Sequence, residues 1–164
     1  MARNESDRED LFAELKTASP RWELAVEGWT PPIVAGLRSN DRFSLYFGPD
    51  PCYHFDDQHR LRRSFAGGFL YRTQGRTLAR LQRERTATQT RLRRHDLSDA
   101  ELAEFLSNMR DNLRRLLMQL QRGRFGVLRQ EPHDQHHLDL LQRRVAGSLE
   151  ADPPLAPPFP TRRQ

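Results

Sequence analysis

The sequence predicts an α+β domain in which an antiparallel β-meander of about seven strands packs against a long amphipathic helix from the C-terminal half, with a short N-terminal helix. Three observations carry that expectation. Between residues 21 and 94, short apolar runs alternate with a period of two and are punctuated by turn residues. From Ser98 the apolar period changes to three and four over a long uninterrupted stretch. The turns between strand candidates are too short for the crossovers of about a dozen residues that parallel pairing requires.

Residues 1–20 read as an N-terminal helix and its lead-in. Ser6 and Glu9 have capping-box spacing, in which each side chain bonds the other residue's backbone amide. The helix is expected from Asp7 to Ala18, with Leu11, Phe12 and Leu15 on one narrow face and Pro20 preventing its continuation. Trp22, Leu24 and Val26 then alternate with Glu23, Ala25 and Glu27 until Gly28. The same alternation recurs in Ile33–Arg38, Arg42–Phe47, Cys52–Phe55, Leu61–Phe65, Phe69–Arg72, Thr77–Arg83 and Thr88–Arg94. Ser39-Asn40-Asp41, Gly48-Pro49-Asp50, Asp56-Asp57-Gln58, Ala66-Gly67-Gly68 and Thr73-Gln74-Gly75 separate these runs with residues that tolerate tight turns.

Ser98 and Glu101 form a second capping box, which opens a helix expected over 98–122 with Gly123 at C′. Leu102, Phe105, Leu106, Met109, Leu113, Leu116, Leu117 and Leu120 fall on one broad stripe, roughly 35 Å long at ~1.5 Å per residue. Such a stripe suits its own sheet better than a dimer seam. Phe125–Arg129 is one more strand candidate, and a weaker helix over 133–147 turns Leu138, Leu141 and Val145 inward. Residues 21–150 are thus expected as one domain. The tail, 151–164, carries Pro153, Pro154, Pro157, Pro158 and Pro160, so it is expected to be disordered or extended polyproline II outside the fold. Pro157, Pro160 and Arg162 also satisfy the P-x-x-P-x-R pattern of proline-binding grooves.

At 164 residues the chain has the length of one domain. Its start carries charges of both signs without an apolar core, and no apolar run nears the ~18 residues of a membrane span. Cys52 is the single cysteine, so no disulfide forms within the chain, and the expected compartment is the cytoplasm. The net charge of +5 is unevenly distributed: residues 1–59 hold 6 basic against 11 acidic groups, 60–94 hold 11 arginines against Glu84, and 95–164 balance at 10 each. The basic middle points to a non-catalytic module that contacts DNA or RNA phosphate through Arg60, Arg62, Arg72, Arg76, Arg80, Arg91 and Arg93. Tyr46, Tyr53 or Tyr71 would be placed to stack a base. The alternative is a protein-interaction or assembly subunit that meets an acidic protein partner or recruits through the leucine-rich helix or proline-rich tail.

Enzyme readings draw less support. None of the glycine-rich phosphate loops or the serine nucleophile elbow occurs, and no cofactor is expected. Cys52 and His54 share a strand face, where a buried cysteine is the plainer explanation. His133, Asp134, His136 and His137 lie close together in sequence, as do His54, Asp56, Asp57 and His59, but neither spacing matches a metal motif. The second group reads more economically as a turn in which aspartate bonds downstream amides.

Overall fold

The computed structural model of the chain describes residues 13–48, 51–66, 69–72, 99–131, 138–152 and 154–156. Six strands follow one another as a meander: β1 (Arg21–Val26), β2 (Ile33–Leu37), β3 (Phe43–Tyr46), β4 (Cys52–Phe55), β5 (Leu61–Ala66) and β6 (Phe69–Arg72). Residues 13–16 belong to the short N-terminal helix α1, and the chain after β6 supplies α2 (Asp99–Gln121), β7 (Phe125–Glu131) and α3 (Leu138–Glu150). All pairings are antiparallel, in the order β6-β5-β4-β3-β2-β1-β7. The α+β class, the meander, the long helix and the N-terminal helix are as the sequence predicts. The seventh strand differs in place: β7 follows α2 and joins the opposite edge of the sheet, beside β1. The candidate strands Thr77–Arg83 and Thr88–Arg94 lie outside the described residues.

Strand alternation divides the sheet into two faces. On the first, Trp22, Leu24, Ile33, Phe43, Leu45 and Phe55 form a core with Met109, Leu113, Leu116 and Leu120 of α2 and Leu141 and Val145 of α3. Each fully buried side chain of that size contributes roughly 1.5–3 kcal/mol relative to exposure, so the four α2 residues alone hold the helix on the sheet. Tyr53 joins this core, where Asn112 Nδ2 donates to its hydroxyl at 3.1 Å. Burial pushes the Tyr53 phenol up to about 12.

The end of α2 has a specific chemical cause. Gly123 adopts φ 69, a left-handed conformation that costs glycine little. Arg124 N then donates to Gln119 O at 2.9 Å and Gly123 N to Leu120 O at 3.2 Å, which satisfies terminal carbonyls of the helix. In α3, by contrast, Gly147 does not end the helix, which continues to Glu150. A Cβ there would lie 2.8 Å from the His59 ring, so this glycine lets α3 pack against the β4–β5 turn. No helix among the described residues is long and apolar enough to cross a membrane.

On the second face, α1 sits over β2 and its neighbours. Leu15 and Ala18 are buried, and a Cβ on Gly36 would come within 2.5 Å of Ala18 Cβ. Ser19 N donates to Leu37 O and Leu37 N to Pro20 O, both at 2.9 Å, which stitches the helix exit to β2. Arginines take up carbonyls of the helix end: Arg38 Nη1 donates to Glu14 O at 3.0 Å, and Arg21 Nη1 to Lys16 O. The start of the tail departs from the expected disordered segment outside the fold. Leu155 forms a parallel bridge with Leu61, with Leu61 N donating to Pro154 O at 2.7 Å and Ala156 N to Leu61 O at 2.9 Å. Leu155 also packs on the core, which offsets the entropy of ordering these residues.

Candidate functional site

The pairing registers align residues of the second face into two rows across the sheet. One row runs Gly36, Ser44, His54 and Arg63; its neighbour runs Arg129, Glu23, Val34, Tyr46 and Cys52. The first row is covered by α1 and holds a buried polar cluster. The second borders an open groove.

Glu14 is the centre of the cluster. Arg62 Nη2 donates to both of its carboxylate oxygens, at 2.9 and 2.8 Å, Arg63 Nη2 lies 3.6 Å away, and His54 Nδ1 is 2.6 Å from Oε1. A register slip makes this convergence possible. Phe55 faces Leu61 and His54 faces Arg63, so Arg62 is an extra residue in β5 and both arginines reach the same carboxylate. His54 Nδ1 is also 2.7 Å from Ser44 Oγ, and its Nε2 is 3.4 Å from Cys52 Sγ.

Burial pushes the Glu14 carboxyl up, but the hydrogen bond from His54 and the charges of His54, Arg62 and Arg63 outweigh it and hold the group well below the usual carboxylate range. Burial pulls the His54 pKa down from 6.5, against the pull of Glu14 and with help from Arg63 and Arg62. His59 is also pulled below 6.5, first by burial and then by Arg144, whose Nη1 lies 3.2 Å from its Nε2.

These directions set a pH dependence with one sign. The stabilisation from Glu14 is present above its unfolded value of 4.5 and is lost as pH falls below it toward the native pKa. His54 and His59 take up protons more readily in the unfolded chain, so stability also falls as pH drops below 6.5. Urea midpoints are therefore expected to decline in two stages on acidification from about pH 7.5, the first below about pH 6.5 and the second below about pH 4.5. A midpoint that rose on acidification would contradict this assignment of charge.

The groove has a volume of about 520 Å³ and is lined by Leu15, Lys16, Arg21, Glu23, Val34, Tyr46 and Arg129. Leu15, Val34 and the Tyr46 ring supply an apolar floor, with Lys16, Arg21 and Arg129 around it against Glu23 in the lining and Glu131 beside it. Arg21 Nη2 donates to Glu131 Oε1 at 2.5 Å, and Arg129 Nη1 lies 3.6 Å from Glu23 Oε2, so the rim charges are held in place. At the β7 end the ladder slips between Glu23 and Leu24, which leaves Leu128 as the extra residue, 58% exposed beside Arg129. A second cavity, in the α2–α3 seam, is lined by Leu117, Gln121, Asp139, Gln142, Arg143 and Ala146 and lacks such a floor.

The residues singled out from sequence separate into distinct environments. Arg60 Nε is 3.4 Å from Asp56 Oδ2, and Arg62 is buried against Glu14. Arg72 ends β6, while Arg76, Arg80, Arg91 and Arg93 lie outside the described residues. Of the tyrosines, Tyr53 is in the core and Tyr46 in the groove. Asp56 Oδ1 accepts from Gln58 N at 2.8 Å and Arg60 N at 2.9 Å, as expected of a turn. The group from His133 to His137 lies outside the described residues. Sequence reading placed Cys52 and His54 together but missed Glu14, Ser44 and Arg63. Glu14 is next to Leu15 on the apolar side of α1, and a carboxylate there is the one signal that it enters the interior. No protein-family model, curated protein or solved structure matches the chain.

Proposed function

We propose that this chain is a binding module that accepts an acidic, apolar-bearing segment of a partner protein in the groove of its second sheet face. The observation that supports it is the combination in one groove of an apolar floor (Leu15, Val34, Tyr46) and a lining of Lys16, Arg21 and Arg129, three cations against the two carboxylates of Glu23 and Glu131 that pair with the arginines. The floor offers burial to side chains such as valine or leucine, and the cationic excess favours carboxylates beside them. A volume of about 520 Å³ lies within the ~300–1,000 Å³ usual for ligand sites. Leu128, exposed beside Arg129 in the edge strand β7, adds apolar surface there.

Contact with nucleic-acid phosphate is the competing reading. It rests on the arginines of 60–94, of which Arg60 and Arg62 are already engaged by Asp56 and Glu14. A groove with an apolar floor and an internal carboxylate suits a phosphate backbone poorly, because phosphate binding gains from uninterrupted positive charge.

The test is fluorescence anisotropy with a labelled short peptide of alternating valine and glutamate, beside labelled single-stranded RNA. Binding of the peptide is expected, with loss of about tenfold in affinity, ~1.4 kcal/mol, for Lys16→Glu and for Arg129→Glu. Both side chains are at the surface, and the Arg129 ion pairs are of the exposed kind worth ~0–1 kcal/mol, so the variants keep the fold. Salt-sensitive binding of RNA with no binding of the peptide would replace this reading with the nucleic-acid one.

A further inference from the structure

Arg144 of α3 and His59 of the β4–β5 turn make a contact that only one protonation state of the imidazole allows. Arg144 Nη1 lies 3.2 Å from His59 Nε2, and a guanidinium has hydrogens to donate but nothing with which to accept. Nε2 is therefore the acceptor, and the ring is neutral with its hydrogen on Nδ1. A proton on Nε2 would remove the acceptor and set two cations against each other at that distance. The packing leaves the ring little room to turn away. Gly147, three residues after Arg144, brings α3 so close that a Cβ there would lie 2.8 Å from the ring. His59 holds φ 67, and its N–H donates to Asp56 O at 3.1 Å, which fixes the backbone from which the ring projects. The charged groups facing the ring among the described residues are Arg144 from α3, Asp41 from the β2–β3 turn and Asp56 from its own turn. Both carboxylates are engaged elsewhere: Asp41 Oδ1 accepts from Arg144 Nη2 at 3.0 Å, and Asp56 holds Gln58 N, Arg60 N and the Arg60 guanidinium. The same turn also anchors the tail, because Leu61, two residues on, bonds Pro154 and Ala156 through its backbone.

We propose that His59 is a proton-operated latch on α3: a proton taken up at Nε2 releases Arg144, and α3 opens together with residues 154–156 while the sheet and α2 stay folded. Opening uncovers Leu141 and Val145, both fully buried in the closed chain, and the core side chains beneath them. The chain then presents a new apolar surface in mildly acidic solution. The direction agrees with the His59 pKa, which burial and then Arg144 pull below its ordinary 6.5. His54, the other histidine with a lowered value, is paired with Glu14 of α1 on the opposite sheet face, so the two are separable by mutation.

The test is amide hydrogen exchange followed by NMR from about pH 7.5 to about pH 5, expressed as protection factors so that the intrinsic pH dependence of exchange is removed. The amides of Leu141 and Val145 are expected to be less protected than those of Leu113 and Leu116 in α2 at every pH. Their protection should also fall at least about threefold on acidification. His59→Asn suits the positive φ and removes the titrating group, so the fall in α3 should vanish while α2 keeps the part that His54 sets. Arg144→Gln, checked for folding by circular dichroism, keeps a donor without the charge. In that variant the His59 ring signals should titrate at higher pH, and the fall in α3 should shrink. Equal protection of the two helices, moving together with pH, would mean that α3 opens only with the whole chain. That result, a fall in α3 that persists in His59→Asn, or no fall at all, overturns the proposal.

Discussion

Replacing Glu14 by alanine is expected to cost about 3–5 kcal/mol of folding stability, the largest single-residue effect in the second layer of the fold. The reason lies in what is left behind. Arg62 is buried and donates to both Glu14 oxygens, so removing the carboxylate leaves a guanidinium charge in the interior with its nearest anion gone. His54 loses the acceptor at its Nδ1 in the same step. Arg62→Ala is expected to be costly for the mirror-image reason, and the double variant Glu14→Ala/Arg62→Ala should lose clearly less than the two single losses together. Guanidinium midpoints of the three variants measure this directly. Additive losses would show that the pair is not coupled.

Gly36→Ala is the next largest, with an expected loss of about 1–3 kcal/mol. The added Cβ would lie 2.5 Å from Ala18 Cβ and 3.3 Å from Leu15 Cδ1, so α1 has to move away from β2. The hydrogen bonds at Ser19 and Leu37 resist that movement. Ala18→Gly in the same chain removes the atom in the way and should recover most of the loss, apart from the smaller penalty of a glycine at the helix end. No recovery in the double variant would mean that the close approach of α1 to Gly36 is wrong. Because Leu15 and Lys16 also wall the groove, Gly36→Ala is expected to weaken peptide binding along with stability.

Much of this architecture was legible from local pattern. The three-four stripe of α2, its end at Gly123, and the alternation in β1 to β6 each depend on residues within a turn or a strand of one another, where periodicity and backbone preference act directly. The parts that were not legible depend on partners distant in sequence. Nothing in Phe125–Arg129 says that the strand joins β1 rather than β6, since its own alternation is the same on either edge. Arg60 and Arg62, both expected to contact phosphate, part company in the fold: Arg60 precedes β5 and pairs with Asp56, whereas Arg62 is buried against Glu14 of α1. Leu155 docks on Leu61 although the prolines around it argued for a tail outside the fold. At the candidate sites the same division holds. Cys52 and His54, two apart on one strand, were placed on one face by alternation, but the acid that orients His54 comes from α1 across 40 positions of sequence. The groove joins α1 with four strands, and no short window of the sequence contains it.

The most direct test of the central proposal is a map of amide chemical-shift changes when the valine–glutamate peptide is titrated into the folded chain. The largest changes are predicted at Leu15, Lys16, Glu23, Val34, Tyr46 and Arg129, with Leu117 and Gln142 of the α2–α3 seam unmoved. Changes centred on residues 73–94, or none along the groove at saturating peptide, would contradict the assignment of this face as the binding surface.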